Sequence, residues 1–302
     1  MTSEAPLPAV FDLRIQEALQ ILTAKSPFWR VRLQSRNREL HLELSSPWRK
    51  SGRTQFSPPI SPSSYDFLEH GWRLFGAYLK YVNHKTKDTH WNPVAYHLYN
   101  ACEATANSVD AWAVGISVAV EAVTGLIDIA SDDDKAKELT CYQERVLAWL
   151  DNQKDLSPDI VKRAQGQINA MSNKRPQDSL YVMAEAGLVE KNYVKAWAYL
   201  RNGHVHPNLQ DLEKPTAVDM QKLLDHIHKV EVLLRQLVFH LIDYKGPYTD
   251  YGAPNFPSKQ YPLAPPDKAT RHPPTESVAP PPATSRERPK PPGPAQPVPP
   301  HS

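Results

Sequence analysis

Only two cysteines, Cys102 and Cys141, occur in 302 residues. A disulfide framework and a cysteine-built zinc site are both excluded, and a reducing cytoplasm fits. No apolar run approaches the roughly 20 residues of a bilayer crossing, because Asp110, Glu121 and Asp128 interrupt the most hydrophobic region. Residues 1–10 lack the basic start and apolar stretch of a signal peptide, so a cytoplasmic protein without membrane contact is expected. Glycine is scarce at 11 residues, and neither GxGxxG nor a P-loop is present to cradle a nucleotide phosphate. That argues against kinase or nucleotidyl transferase chemistry. HExxH is also missing, and the pairs His204/His206 and His226/His228 diverge by about 200° on a helix, so neither metal nor cofactor is expected. A net charge of +2 is too small for a protein that coats nucleic acid non-specifically.

Charge and proline are unevenly spread. Between Phe28 and Arg53, seven basic residues, among them Arg30, Arg32, Arg36 and Arg38, face only Glu39 and Glu43. The surplus suits either a surface that guides RNA phosphates or a hairpin kept soluble by arginine. Of 30 prolines, 18 follow Lys245. Proline-rich sequence without apolar periodicity buries too little to offset its ordering entropy, so a disordered tail is expected over 246–302. Within it, Arg286 to Pro292 fits a basic-xx-Pro-xx-Pro ligand, which would give the tail a protein partner.

The remainder reads as mainly α. A helix is expected over Phe11 to Ala24, followed by two alternating strands, Trp29–Leu33 and Leu40–Leu44, in a segment ending at residue 56. From 57 to 245 the spacing predicts six or seven helices in a bundle. Ser64, Ser108 and Thr216 are placed to cap helices, and Pro93 and Pro158 to open them. The apolar stretch Val109 to Ile129 is expected to be the central helix. Further helices should bury Leu139, Tyr142, Val146, Trp149 and Leu150, then Ile160, Val161, Ala164, Ile168 and Met171. Trp72 is expected among the anchors of the first bundle helix.

Near the end of that bundle stands Lys195-Ala-Trp-Ala-Tyr-Leu-Arg201-Asn202-Gly-His204-Val-His206-Pro207. At about 100° per residue, Tyr193, Ala196, Trp197 and Leu200 share an apolar arc. Arg201, Asn202 and His206 share another, with Val194, Ala198 and Val205 beside them as a contact surface. Arg-Asn, three residues, His resembles the Rx4-6H signature of HEPN domains, many of which are metal-independent ribonucleases. The upstream helix Ser117–Val123 with its single carboxylate, Glu121, and the Gly187–Val189 segment add to a likeness with the ApeA-like branch, which is associated with antiphage defence. The resemblance covers roughly residues 90–243. It implies a HEPN-type helical bundle and a homodimer in which two motif helices bring two Arg/His sets onto one RNA. His206 is then the proton-transfer group, Arg201 the phosphate-binding cation and Asn202 the group that orients either. His204 and Glu121 are possible supports, Glu121 either by pairing with Arg201 or as part of a solvated polar stripe. The alternative is a catalytically silent HEPN module that mediates dimerisation and protein or RNA binding.

Overall fold

The computed structural model describes residues 10–25, 31–36, 39–44, 56–85, 90–129, 133–172, 175–205 and 217–263. All of these fall in one compact unit, residues 1–266. The fold is mainly helical, as expected. In chain order the elements are α1 (Phe11–Thr23), β1 (Val31–Arg36), β2 (Glu39–Leu44), α2 (Phe67–Lys85), α3 (Pro93–Ala104), α4 (Val109–Gly125), α5 (Asp133–Asp151), α6 (Pro158–Ala170), α7 (Pro176–Glu185), α8 (Lys191–Leu200), a π-helical turn (Arg201–Val205), α9 (Ala217–Leu241), β3 (Gly246–Thr249) and β4 (Ser258–Tyr261).

Local chemistry sets the helix ends. Asn92 Oδ1 accepts from Val94 N (2.9 Å) ahead of Pro93, and Ser108 Oγ accepts from Ala111 N (3.0 Å). α7 stops at Gly187, whose φ of 71° is the left-handed conformation that glycine adopts without strain.

Three expectations about packing need correction. First, α1 does not stand apart in an N-terminal segment, because Ala18 and Ile21 belong to the same core as α2, α3 and α4. A buried polar cluster secures it: Arg14 bonds Glu17 (2.7 Å), and Glu17 accepts Asn92 N (2.7 Å) at the start of α3. Second, α9 rather than α4 is the most enclosed helix, since every residue from 230 to 239 is buried. The buried polar residues of that stretch, Glu231, Arg235 and Gln236, are partnered. Glu231 accepts Ser57 N (2.8 Å), Arg235 donates to Glu231 and to the carbonyls of Ser57 and Pro58, and Gln236 reaches Tyr248 Oη (3.0 Å). α4 keeps an outer stripe at Val118, Glu121 and Gly125. Third, the packed chain continues past Lys245. β3 and β4 pair antiparallel, Tyr248 and Tyr261 are buried, and Thr249 N bonds Pro59 O (2.9 Å). The Pro-rich tail from 264 onward lies outside the described residues.

α5 and α6 pair with each other, joined by Gln143 Nε2 to Ile168 O (2.7 Å) and Gln165 Nε2 to Asp151 (2.8 Å). Leu150 is buried, whereas Tyr142, Trp149 and Ile160, expected inward, are more than half exposed, Met171 is exposed too, and Leu139, Val146, Val161, Ala164 and Ile168 are only partly buried. Two helices enclose only one stripe apiece, so the second apolar stripe of each stays outside. Trp72 is likewise exposed. In the β1–β2 ribbon, Val31 opposes Leu44 and Leu33 opposes Leu42, so one face is apolar, and all four are exposed.

Asp250 is fully buried and accepts from Tyr193 Oη (2.7 Å), Gly252 N (3.0 Å) and Lys259 Nζ (2.8 Å). Lys259 also meets Glu190 (2.7 Å). Burial alone would lower its ammonium pKa, but hydrogen bonds to Asp250 and Glu190 outweigh that and raise it. Burial pushes Tyr244 and Tyr248 up to about 12. Tyr193 is raised by burial and by its bond to Asp250, and Tyr78 and Tyr261 chiefly by burial. The folded chain therefore holds these protons more tightly than the unfolded chain. Stability is full below the ordinary phenol value of 10.0 and is lost as pH climbs from there toward the folded values. Melting midpoints between pH 7 and 12 should stay level and then fall steeply, with the absorbance of these five tyrosinates appearing only as the fold is lost. Normal titration of all the tyrosines in an intact fold would refute this.

Candidate functional site

α8 turns Tyr193, Val194, Ala196, Trp197 and Leu200 inward against α4 and α9. The apolar arc expected for Tyr193, Ala196, Trp197 and Leu200 is therefore present. Val194 is not on a contact surface, however; it is wholly buried within the chain. Ala198 is partly buried.

Trp197 fixes the geometry. Its indole Nε1 donates to Ser117 O on α4 (3.1 Å), which sets the distance between the two helices. One turn further along α4, Glu121 Oε2 accepts from Arg201 Nε (3.0 Å) across 80 residues of sequence. The Arg201 guanidinium lies over the Trp197 ring, 5.9 Å from its centroid. Indole below and carboxylate beside thus hold one cation in a defined place. Both partners are part-exposed, Arg201 at 33% and Glu121 at 40%. The pair adds little stability at such exposure, and its consequence is orientation. Glu121 engages Nε, so the two terminal nitrogens of the fork lie outside that bond.

Glu121 is itself part-exposed on the outer stripe of α4, but the polar stripe expected beside it is not solvated throughout. Ser117 and Thr124 on the same side of α4 are buried, and their hydroxyls bond back to Ala113 O (2.7 Å) and Val120 O (2.7 Å). Those back-bonds hide two polar residues that a helical wheel places in water.

At Arg201 the chain leaves α-helical geometry. Arg201 to Val205 form a π-helical turn, with i to i+5 hydrogen bonding. The angular spacing of an α-helix does not hold across the motif, so the one-arc reading of Arg201, Asn202 and His206 loses its basis. π turns arise by insertion into a helix and concentrate at functional sites. Asn202 is exposed. His204 lies in the turn, His206 lies just outside the described residues, and so do Arg30 and Arg38; Arg32 and Arg36 lie on β1.

Among the described residues, no group of three or more His, Cys, Asp or Glu side chains could hold a metal ion. His226 and His228 part company, His226 packing on Tyr199 and His228 on Trp112. Cys102 is buried and its thiol is pushed up to about 12 by that burial, which suppresses the nucleophilic thiolate. It lines a cavity of about 20 Å³ with Gln20, Phe56 and Arg235, room for a water but not a substrate. No helix among the described residues is long and apolar enough to cross a membrane.

In comparisons with family models, curated proteins and solved structures, nothing matched the chain. The π turn and the Tyr199–His226 contact have no signal in the sequence pattern. The i, i+4 pair Ser117/Glu121 opposite Trp197/Arg201 was the available signal for the clamp.

Proposed function

We propose that this chain is a metal-independent endoribonuclease of HEPN type, acting in the cytoplasm as an antiphage or toxin effector. The observation that carries the reading is the Glu121–Arg201–Trp197 clamp at the mouth of a π turn. An ordinary helix end needs no carboxylate on a distant helix to aim its arginine.

In the proposed reaction His206 takes the proton of a ribose 2′-hydroxyl, and that oxygen attacks the adjacent phosphorus. Arg201 neutralises charge on the phosphorane through its terminal nitrogens. The P–O5′ bond breaks, and the 5′-oxygen takes a proton from the imidazolium supplied by a second copy of the chain. The products are a 2′,3′-cyclic phosphate and a 5′-hydroxyl. Asn202, exposed beside Arg201, would hydrogen-bond the phosphate or hold the His206 tautomer, with His204 as a further support. Two copies would meet through their motif helices. Because Val194 is committed to the chain's own core, the meeting would use Ala198 and the neighbouring outer stripe of α4 at Val118.

Purified protein incubated with total RNA should release fragments ending in 2′,3′-cyclic phosphate, and His206→Ala should release none. Sizing chromatography should show a dimer. Identical RNA patterns from wild type and His206→Ala would leave the alternative, a silent module for dimerisation and protein or RNA binding, with the Pro-rich tail as its docking arm.

A further inference from the structure

Tyr199 contributes little to the core. It is a large aromatic residue, 57% exposed, on the outer face of α8. Its ring is nevertheless held, meeting His226 of α9 edge-to-face with centroids 4.4 Å apart and planes at 69°. α8 and α9 run antiparallel here. Glu190 N bonds Gln236 Oε1 (3.0 Å) at one end of the seam, and Tyr199 meets His226 at the other.

The residues around this pair share a character. On α8, exposed Lys195 lies four positions before Tyr199 on the same stripe, and exposed Asn202 follows in the π turn. On α9, Lys222 lies four before His226 and Lys229 three after it. Three lysines thus lie within about a helical turn, along α8 or α9, of the two residues of the ring pair, Lys195 and Lys222 exposed and Lys229 half-buried. The nearby acid, Asp225, is held by Gln221 Nε2 (2.8 Å). Burial, with Lys229 adding to it, lowers the pKa of His226, so at neutral pH it props the tyrosine without needing a charge.

A flat, fixed, solvent-facing ring among cations matches a polymer that alternates unstacked bases with phosphates. Base stacking on an aromatic side chain is sequence-tolerant, and lysines neutralise the flanking phosphates. A duplex keeps its bases inside and offers the ring nothing to stack on. An acidic peptide would use the lysines and leave the ring idle. We propose that the α8–α9 seam is a track for single-stranded RNA, with Tyr199 stacking on a base while Lys195, Lys222 and Lys229 take neighbouring phosphates. The proposal rests on the nuclease reading only for the strand's destination, since Tyr199 stands two residues before Arg201.

The test is fluorescence anisotropy of a labelled, unstructured 12-nucleotide RNA with the full-length protein, over a range of salt. The wild type should bind, and more weakly as salt rises. Tyr199→Ala should weaken binding about tenfold, within the range that loss of one stacked base produces, while Tyr199→Phe keeps it. Lys195→Glu should weaken binding most at low salt. Thermal melts identical to wild type show that each variant is folded. Tyr199→Ala binding as tightly as wild type, or a duplex of the same sequence binding equally well, overturns the track. RNA bound through Tyr199 yet left uncut overturns the nuclease reading alone, and RNA that is cut but bound independently of Tyr199 overturns the track alone.

Discussion

For the proposed ribonuclease, Arg201→Ala is expected to lower RNA cleavage by two to three orders of magnitude, roughly the loss seen when a preorganised group facing developing charge is removed. Arg201→Lys should recover little of it. A point charge on a flexible stem can neither use Glu121 and a phosphate through separate nitrogens of one planar fork nor lie flat on the Trp197 ring. Glu121→Gln separates aim from stability. The carboxylate is 40% exposed, so unfolding should move by about 1 kcal/mol or less. Turnover should still fall about tenfold, because a neutral amide holds the guanidinium less firmly, while KM for the RNA changes little. Steady-state kinetics on a short reporter RNA provide the measurement. Unchanged turnover in Glu121→Gln would show the ion pair to be incidental.

Glu231→Ala is expected to destabilise the fold by about 3–5 kcal/mol, because it leaves Arg235 buried without its counter-charge. Glu231 is fully buried and Arg235 nearly so, and together they bind the 57–58 backbone to α9. The second carboxylate oxygen faces His228 Nδ1 at 3.6 Å. Urea unfolding measures the loss. The double change Glu231→Leu with Arg235→Met should return much of it, since neither charge then remains to be desolvated. If the single and double variants lose equally, packing rather than the unpaired cation is responsible.

Much of the fold was readable in the sequence because its signals are local. Pro93, Ser108 and Ser157-Pro158 mark helix starts within two residues of where they occur, and alternation in 29–33 and 40–44 marks the ribbon, whose strands run 31–36 and 39–44. What escaped depends on partners far along the chain. Glu231, Arg235 and Gln236 look like a solvated face of α9 until Ser57, Glu190 and Tyr248 are brought to them. β3 and β4 are four residues each and rich in proline, glycine and lysine, so their pairing rests on tertiary packing of Tyr248 and Tyr261 rather than on strand propensity. The site was half-readable. The Arg201–Glu121 pairing was one of two alternatives for Glu121, and i, i+4 spacing on each helix made it possible. The π turn was not, because Gly203 and Pro207 announce only that the helix weakens there.

The clasp between residues 57–61 and the far end of the chain has a consequence for biosynthesis. Pro59 O waits for Thr249 N, Ser61 N for Thr249 Oγ1, and Ser57 N for Glu231. While the ribosome is still adding α5 to α8, the early helices lack the rod on which they close, and their apolar sides remain open. Loop closures spanning 174 and 188 residues come last and slowly. A nascent chain arrested before Leu241 should therefore be protease-sensitive along its whole length, and one released past Leu263 should become resistant in a single step.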